Sequence, residues 1–152
     1  MPPSEPSLHH AQVFYPPGEE GRARAFYGYQ LGLREIPRPS SLAERAGIWF
    51  EAPPGHVHLS ADDDLGLHPR RHFALRVTDL DALTAHLRAA GARFEEATPP
   101  QGSNATARSR MARINANRKA VALGLRVPGW RRVYVFDPFG NKIELDEIPS
   151  DD

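Results

Sequence analysis

Two stretches decide the reading of this chain. The first is His72-Phe73-Ala74-Leu75-Arg76-Val77, followed by Asp79-Leu80-Asp81-Ala82-Leu83 and closing at Gly91. The second is Arg132-Val133-Tyr134-Val135-Phe136, then Asp137-Pro138-Phe139-Gly140-Asn141, then Lys142-Ile143-Glu144-Leu145-Asp146. Apolar and polar residues alternate at 72–77, the pattern of a half-buried strand. Asp79 is placed to cap a helix running to Ala90, with Leu80, Leu83, Leu87 and Ala90 on one face and Gly91 ending it. A short strand is expected at 93–96. The second stretch reads as a strand, a tight turn and a strand.

The same order appears earlier in the chain. His9 to Tyr15 reads as a strand, ended by Pro16-Pro17-Gly18. Ala23, Phe26, Tyr27, Gln30 and Leu31 follow helical spacing between Glu19 and Leu31, with Gly32 where a helix-ending glycine belongs. Residues 34–37 and 47–51 read as strands, and His56-Val57-His58-Leu59-Ser60 alternates like its counterpart at 142–146. The chain therefore reads β-α-β-β-β twice, an internal repeat that sets an α+β fold. His72 falls on His10, and Glu144 falls on His58. The second offset is the larger, so the second half carries extra sequence. The expected organisation is a tail at 1–7, a first module at 8–61, a linker at 62–71, a second module at 72–148 and a tail at 149–152. The second module is interrupted by an insertion at about 97–130. That insertion holds Arg108, Arg110, Arg113, Arg118, Lys119 and Arg126 and no acid.

Side chains on a strand alternate between faces, so residues i and i+2 share one. His10, Gln12 and Phe14 then oppose His9, Ala11 and Val13. His56, His58 and Ser60 oppose Val57 and Leu59. His72, Ala74 and Arg76 oppose Phe73, Leu75 and Val77. Lys142, Glu144 and Asp146 oppose Ile143 and Leu145. Each strand has one face for packing and one carrying polar groups. If the sheet curves, His10, His58, His72 and Glu144 become a candidate set of three imidazoles and a carboxylate. Such donors suit a divalent first-row ion: Zn, Ni, Fe or Mn.

Composition narrows the chemistry. The chain has 152 residues and no cysteine, which removes disulfides, thiolate metal sites and a cysteine nucleophile. It has 19 Lys+Arg against 19 Asp+Glu, and this neutral total argues against a bulk nucleic-acid binder. Residues 97–136 hold eight basic residues and no acid, so the rest of the chain is net acidic. No apolar run is long enough to span a bilayer, so no membrane partner is expected. No secretory leader is read at Met1-Pro2-Pro3-Ser4, and a cytoplasmic protein is expected.

The quoted runs, with His10-Ala11-Gln12-Val13, Ala25-Phe26-Tyr27 and Leu31-Gly32-Leu33, make the chain similar to one known group. It resembles the vicinal oxygen chelate superfamily, which includes glyoxalase I, bleomycin- and fosfomycin-resistance proteins, methylmalonyl-CoA epimerase and extradiol dioxygenases. Tyr134 to Leu145 is the most specific part of the likeness. The resemblance implies paired β-α-β-β-β modules forming a U-shaped half-barrel. It implies a divalent metal on the first and last strands of each module, at His10, His58, His72 and Glu144. It also implies a small-molecule substrate and a homodimer. Glu144 and Tyr134 are the implied catalytic residues. Arg76, Arg132, Trp49 and Phe14 are the candidate substrate-side residues, and the arginines suit a carboxylate or phosphonate. His58 departs from the Glu or Gln of glyoxalase I, whereas a dioxygenase-like set needs only two histidines and a carboxylate. Three functions remain open at this point: a metal-dependent enzyme stabilising an enolate or oxyanion, an extradiol-type dioxygenase, or a non-catalytic binder of the bleomycin-resistance kind.

Overall fold

The structure, a computed structural model, describes residues 7–95 and 131–147. The insertion at 97–130 lies outside the described residues, as do most of the two tails. Eight strands fall into two four-stranded sheets. The first sheet contains β1 (His10–Tyr15), β2 (Arg34–Ile36), β3 (Gly47–Ala52) and β4 (Gly55–Ala61), in the order β1-β4-β3-β2. The second contains β5 (His72–Val77), β6 (Arg93–Phe94), β7 (Arg132–Phe136) and β8 (Lys142–Glu147), in the order β5-β8-β7-β6. In each sheet the first strand pairs in parallel with the last, and the remaining pairs are antiparallel. The two sheets therefore repeat one topology, and the α+β reading with two βαβββ modules holds.

Helix α1 (Glu20–Arg24) and helix α2 (Leu80–Ala89) are the crossovers between β1 and β2 and between β5 and β6. For α2 the local chemistry is as read from the sequence. The Asp79 side chain accepts the Ala82 N–H at 2.8 Å, satisfying a donor that the helix start leaves orphaned. Leu80 and Leu87 are buried, and Gly91 follows with φ +81, a conformation glycine adopts without strain. The first crossover differs from the single α-helix expected over 19–31. After Arg24 it widens into a π-helix over Ala25–Gln30, where Leu31 N–H reaches Phe26 O five residues back at 2.8 Å. The wider turn accompanies the burial of two consecutive aromatic side chains, Phe26 and Tyr27.

Strand alternation sorts the side chains as expected. Tyr15, Ile48, Phe50, Val57 and Leu59 are buried with Ala23, Phe26 and Tyr27 under the first sheet. Val135, Ile143 and Leu145 are buried with Leu80 and Leu87 under the second. Burial of this kind contributes about 1.5–3 kcal/mol per large side chain. On β5 the apolar face is only half-buried at Phe73, Leu75 and Val77. No helix among the described residues is long and apolar enough to cross a membrane.

The modules meet at a buried polar junction. The Tyr27 hydroxyl donates to Asp137 Oδ2 at 2.8 Å, and Asn141 Nδ2 donates to the same oxygen at 2.7 Å and to Phe14 O at 2.8 Å. The backbone N–H groups of Phe139 and Asn141 both reach Asp137 Oδ1.

Candidate functional site

The register puts the polar candidates on the faces opposite the cores. His10 lies beside His56 and Gln12 beside His58 across β1 and β4, and Trp49 lies beside His58 across β3 and β4. In the second sheet Ala74 and Tyr134 flank Glu144, while Arg76 and Arg132 flank Asp146.

On the second sheet these positions make a compact charged group. Glu144 is 1% exposed, yet His72 Nε2 lies 2.9 Å from its Oε2 and Arg132 Nη1 lies 3.4 Å from its Oε1. Removing a carboxylate from water costs several kcal/mol unless charges and donors compensate, and His72 and Arg132 are suited to do so. The Tyr134 ring stands edge-on to His72 at 5.3 Å between centroids. The Lys142 ammonium sits 4.5 Å from the centre of the same ring and donates to Glu95 and to Pro69 O.

On the first sheet the imidazoles stack. His58 lies flat against Trp49 at 3.8 Å, with planes 1° apart, and His10 covers it at 4.1 Å and 16°. His58 is buried, and its Nε2 has no hydrogen-bond partner among the described residues. Burial, with His10, His56, His9 and Arg38 close by, pulls its pKa down to about 4, so the ring is neutral at pH 7.

The four metal candidates thus form two pairs, His72 with Glu144 and His10 with His58. Among the described residues of one chain, no three His, Asp or Glu side chains are arranged to hold a metal ion. The donor types still fit a divalent ion: imidazole nitrogen and carboxylate oxygen side by side at His72 and Glu144, and further imidazoles on the matching strands of the other module. The substrate-side candidates are spread out. Arg132 contacts Glu144. Arg76 lines a cleft of about 940 Å³ between the modules, together with His10, Phe73, Leu75 and Asp146. Phe14 lines a smaller hollow of about 200 Å³ with Gln12, His72 and Lys142. Trp49 lies beneath His58.

Two residues near the site escape sequence reasoning. Lys142 shares a face with Glu144 by parity, but only the fold brings it over Tyr134. His9 was expected on the face opposite His10. It precedes the first paired residue of β1, and its ring turns to the His10 side, 5.2 Å from His10 and 5.3 Å from His56 between centroids.

The chain belongs to the Glyoxalase/Bleomycin resistance protein/Dioxygenase superfamily, whose family model matches residues 7–145. A putative glyoxalase family protein from Bacillus anthracis is 30% identical, with a TM-score of 0.70, covering 97% of this chain and 98% of its own. The fosfomycin resistance protein FosX from Listeria monocytogenes superposes with a TM-score of 0.63 at 16% identity, covering 97% of each chain. Another crystal structure of FosX, complexed with Mn(II) and sulfate, gives a TM-score of 0.61 at 16% identity over 95% of this chain and 90% of that one. No curated protein matches the chain.

Proposed function

We propose that the protein is a divalent-metal-dependent enzyme acting on a small anionic substrate with neighbouring oxygens. The observation that carries this reading is the buried Glu144 carboxylate, paired with His72 at 2.9 Å and faced by Arg132 at 3.4 Å. Buried ionisable clusters of this kind concentrate at functional sites. His72 and Glu144 would hold the ion, with His10 as the third donor. Zn, Ni, Fe and Mn all suit that set, and the FosX complex with Mn(II) supports a metal in this fold. The ion would supply Lewis-acid stabilisation of negative charge developing on the substrate oxygens.

The protein's own residues account for the rest. Arg132 approaches the site from its exposed side and suits a carboxylate, phosphonate or similar anion. The Tyr134 hydroxyl, on the ring flanked by His72 and Lys142, orients a substrate oxygen. Glu144 takes up the proton that the reaction releases at its Oε atoms. Arg76, Trp49 and Phe14 form the outer walls. His10 and the His72–Glu144 pair stand on different sheets, so the reading draws His10 from a second copy of the chain. Two observations support a homodimer of this kind: His10 is exposed, and β1 and β5 each form the edge of a sheet. His58 then backs His10 by stacking rather than binding the ion.

Elemental analysis of protein purified without chelator tests the reading. It is expected to give about one divalent ion per site, or uptake on adding Mn²⁺, Zn²⁺, Ni²⁺ or Fe²⁺. Turnover of hemithioacetal, of catechol with dioxygen, or of fosfomycin with water or a thiol then identifies the reaction. No metal as purified and none taken up overturns it.

A further inference from the structure

Neighbouring side chains on a strand point to opposite faces, so two consecutive histidines should not meet. His9 and His10 do. The His9 backbone is anchored at the start of β1: it precedes the first paired residue, and its carbonyl accepts the His56 N–H at 3.0 Å. The β3–β4 turn presses on it so closely that a Cβ on Gly55 would lie 2.6 Å from His9 O. So anchored, the His9 ring reaches His10, and the two Nδ1 atoms stand 2.9 Å apart. The stack on His58 and Trp49 restrains the plane of the His10 ring. Which nitrogen of His10 carries the proton decides what its ring can bind.

A neutral imidazole has one N–H and one bare nitrogen, and a hydrogen bond between two Nδ1 atoms needs a single proton. If His9 donates it, His10 carries its own proton on Nε2 and that lone pair is lost to a metal. If His10 donates it, Nε2 of His10 is bare and His9 keeps its proton on Nε2. We propose that His9 is a positioning residue that accepts the His10 Nδ1–H, so that His10 presents a bare Nε2 to a divalent cation. The partner of a ligating imidazole fixes its tautomer and orientation in this way. The proposal rests on the reading of His10 as a metal ligand.

Calorimetric titration of the full chain with Mn²⁺ and separately with Zn²⁺ tests it. His9→Ala is expected to weaken binding by roughly 10–100-fold, as loss of such a partner does. His9→Asn keeps an acceptor at the Nδ1 position and should restore most of that affinity; His9→Gln, with its acceptor displaced, should not. Long-range ¹H–¹⁵N correlation of the unsubstituted protein should find His10 protonated at Nδ1 and His9 at Nε2. That measurement holds even if the His9 variants fold poorly. Wild-type affinity in His9→Ala beside lost affinity in His10→Ala overturns the proposal alone. Wild-type affinity in His10→Ala overturns the ligand reading, and the proposal with it.

Discussion

Tyr27 and Asp137 stand in different modules and meet in a buried hydrogen bond of 2.8 Å. Burial, reinforced by the Asp137 charge and this hydrogen bond, raises the Tyr27 hydroxyl well above its usual pKa, so it stays protonated and donates. Desolvation also raises Asp137, against the lowering effect of its hydrogen-bond donors. Tyr27→Phe keeps the ring and removes the donor. Asp137 then retains Asn141 Nδ2 and two backbone N–H groups, with one acceptor position unfilled. The expected loss is about 1.5–3 kcal/mol of folding free energy, the range for hydrogen bonds to charged groups. Urea denaturation measures it. Metal uptake should not change, because the hydrogen bonds of this junction join Tyr27, Asp137, Asn141 and Phe14 rather than the proposed ligands.

The low pKa of His58 predicts a pH window. Its folded value, about 4, lies below the ordinary 6.5. Above 6.5 the ring is neutral whether the chain is folded or not. Between 6.5 and 4 the unfolded chain binds a proton that the folded one refuses, so stability falls as pH falls through this window. Below 4 both states are protonated and the loss is complete, on the order of 3 kcal/mol for a shift of this size. Denaturation of the metal-free protein from pH 7 to 4 should follow this slope. His58→Phe, which cannot titrate, should lack that part of it. Equal slopes in the two proteins would remove His58 as the cause.

The same variant separates two roles for His58. Phenylalanine can lie between Trp49 and His10 as the imidazole does, but it has no lone pair. If His58 serves by stacking, His58→Phe keeps metal affinity within a few-fold of wild type. If His58 is a ligand, affinity collapses as it does in His72→Ala. Competition with a chromogenic chelator distinguishes the outcomes.

The register of β8 against β5 and β7 was readable, because Ile143 and Leu145 alternate with Lys142, Glu144 and Asp146, and a slip of one residue would turn the charged side chains onto the apolar packing face. The Asp79 cap and the stop at Gly91 were readable for local reasons. Parity also put His10, His58, His72 and Glu144 each on the polar face of its own strand. It could not tell a face from a point: whether imidazoles stack or converge depends on rotamers and on neighbours such as Trp49. His9 was misassigned because parity applies only to residues already paired in the sheet. The Tyr27–Asp137 contact joins residues far apart in sequence, and no local pattern announces it.

Glu144 carries the heaviest load in the proposed chemistry, and its conservative replacement tests that directly. Glu144→Gln keeps the shape of the side chain and its capacity for hydrogen bonds to His72 and Arg132, so the fold should survive with a change of about 1 kcal/mol. It removes the negative charge that a divalent ion needs and the oxygen that takes up a proton. Metal affinity is expected to drop by more than the roughly 10–100-fold that loss of a supporting partner produces, and turnover should vanish with it. Arg132→Met is the matched control. It leaves the His72–Glu144 pair in place and removes a cation from its exposed side, so metal should still bind while KM for an anionic substrate rises. Comparing metal content by emission spectroscopy with steady-state kinetics in both variants separates holding the ion from holding the substrate. Wild-type metal affinity in Glu144→Gln would mean that the buried carboxylate serves the fold alone.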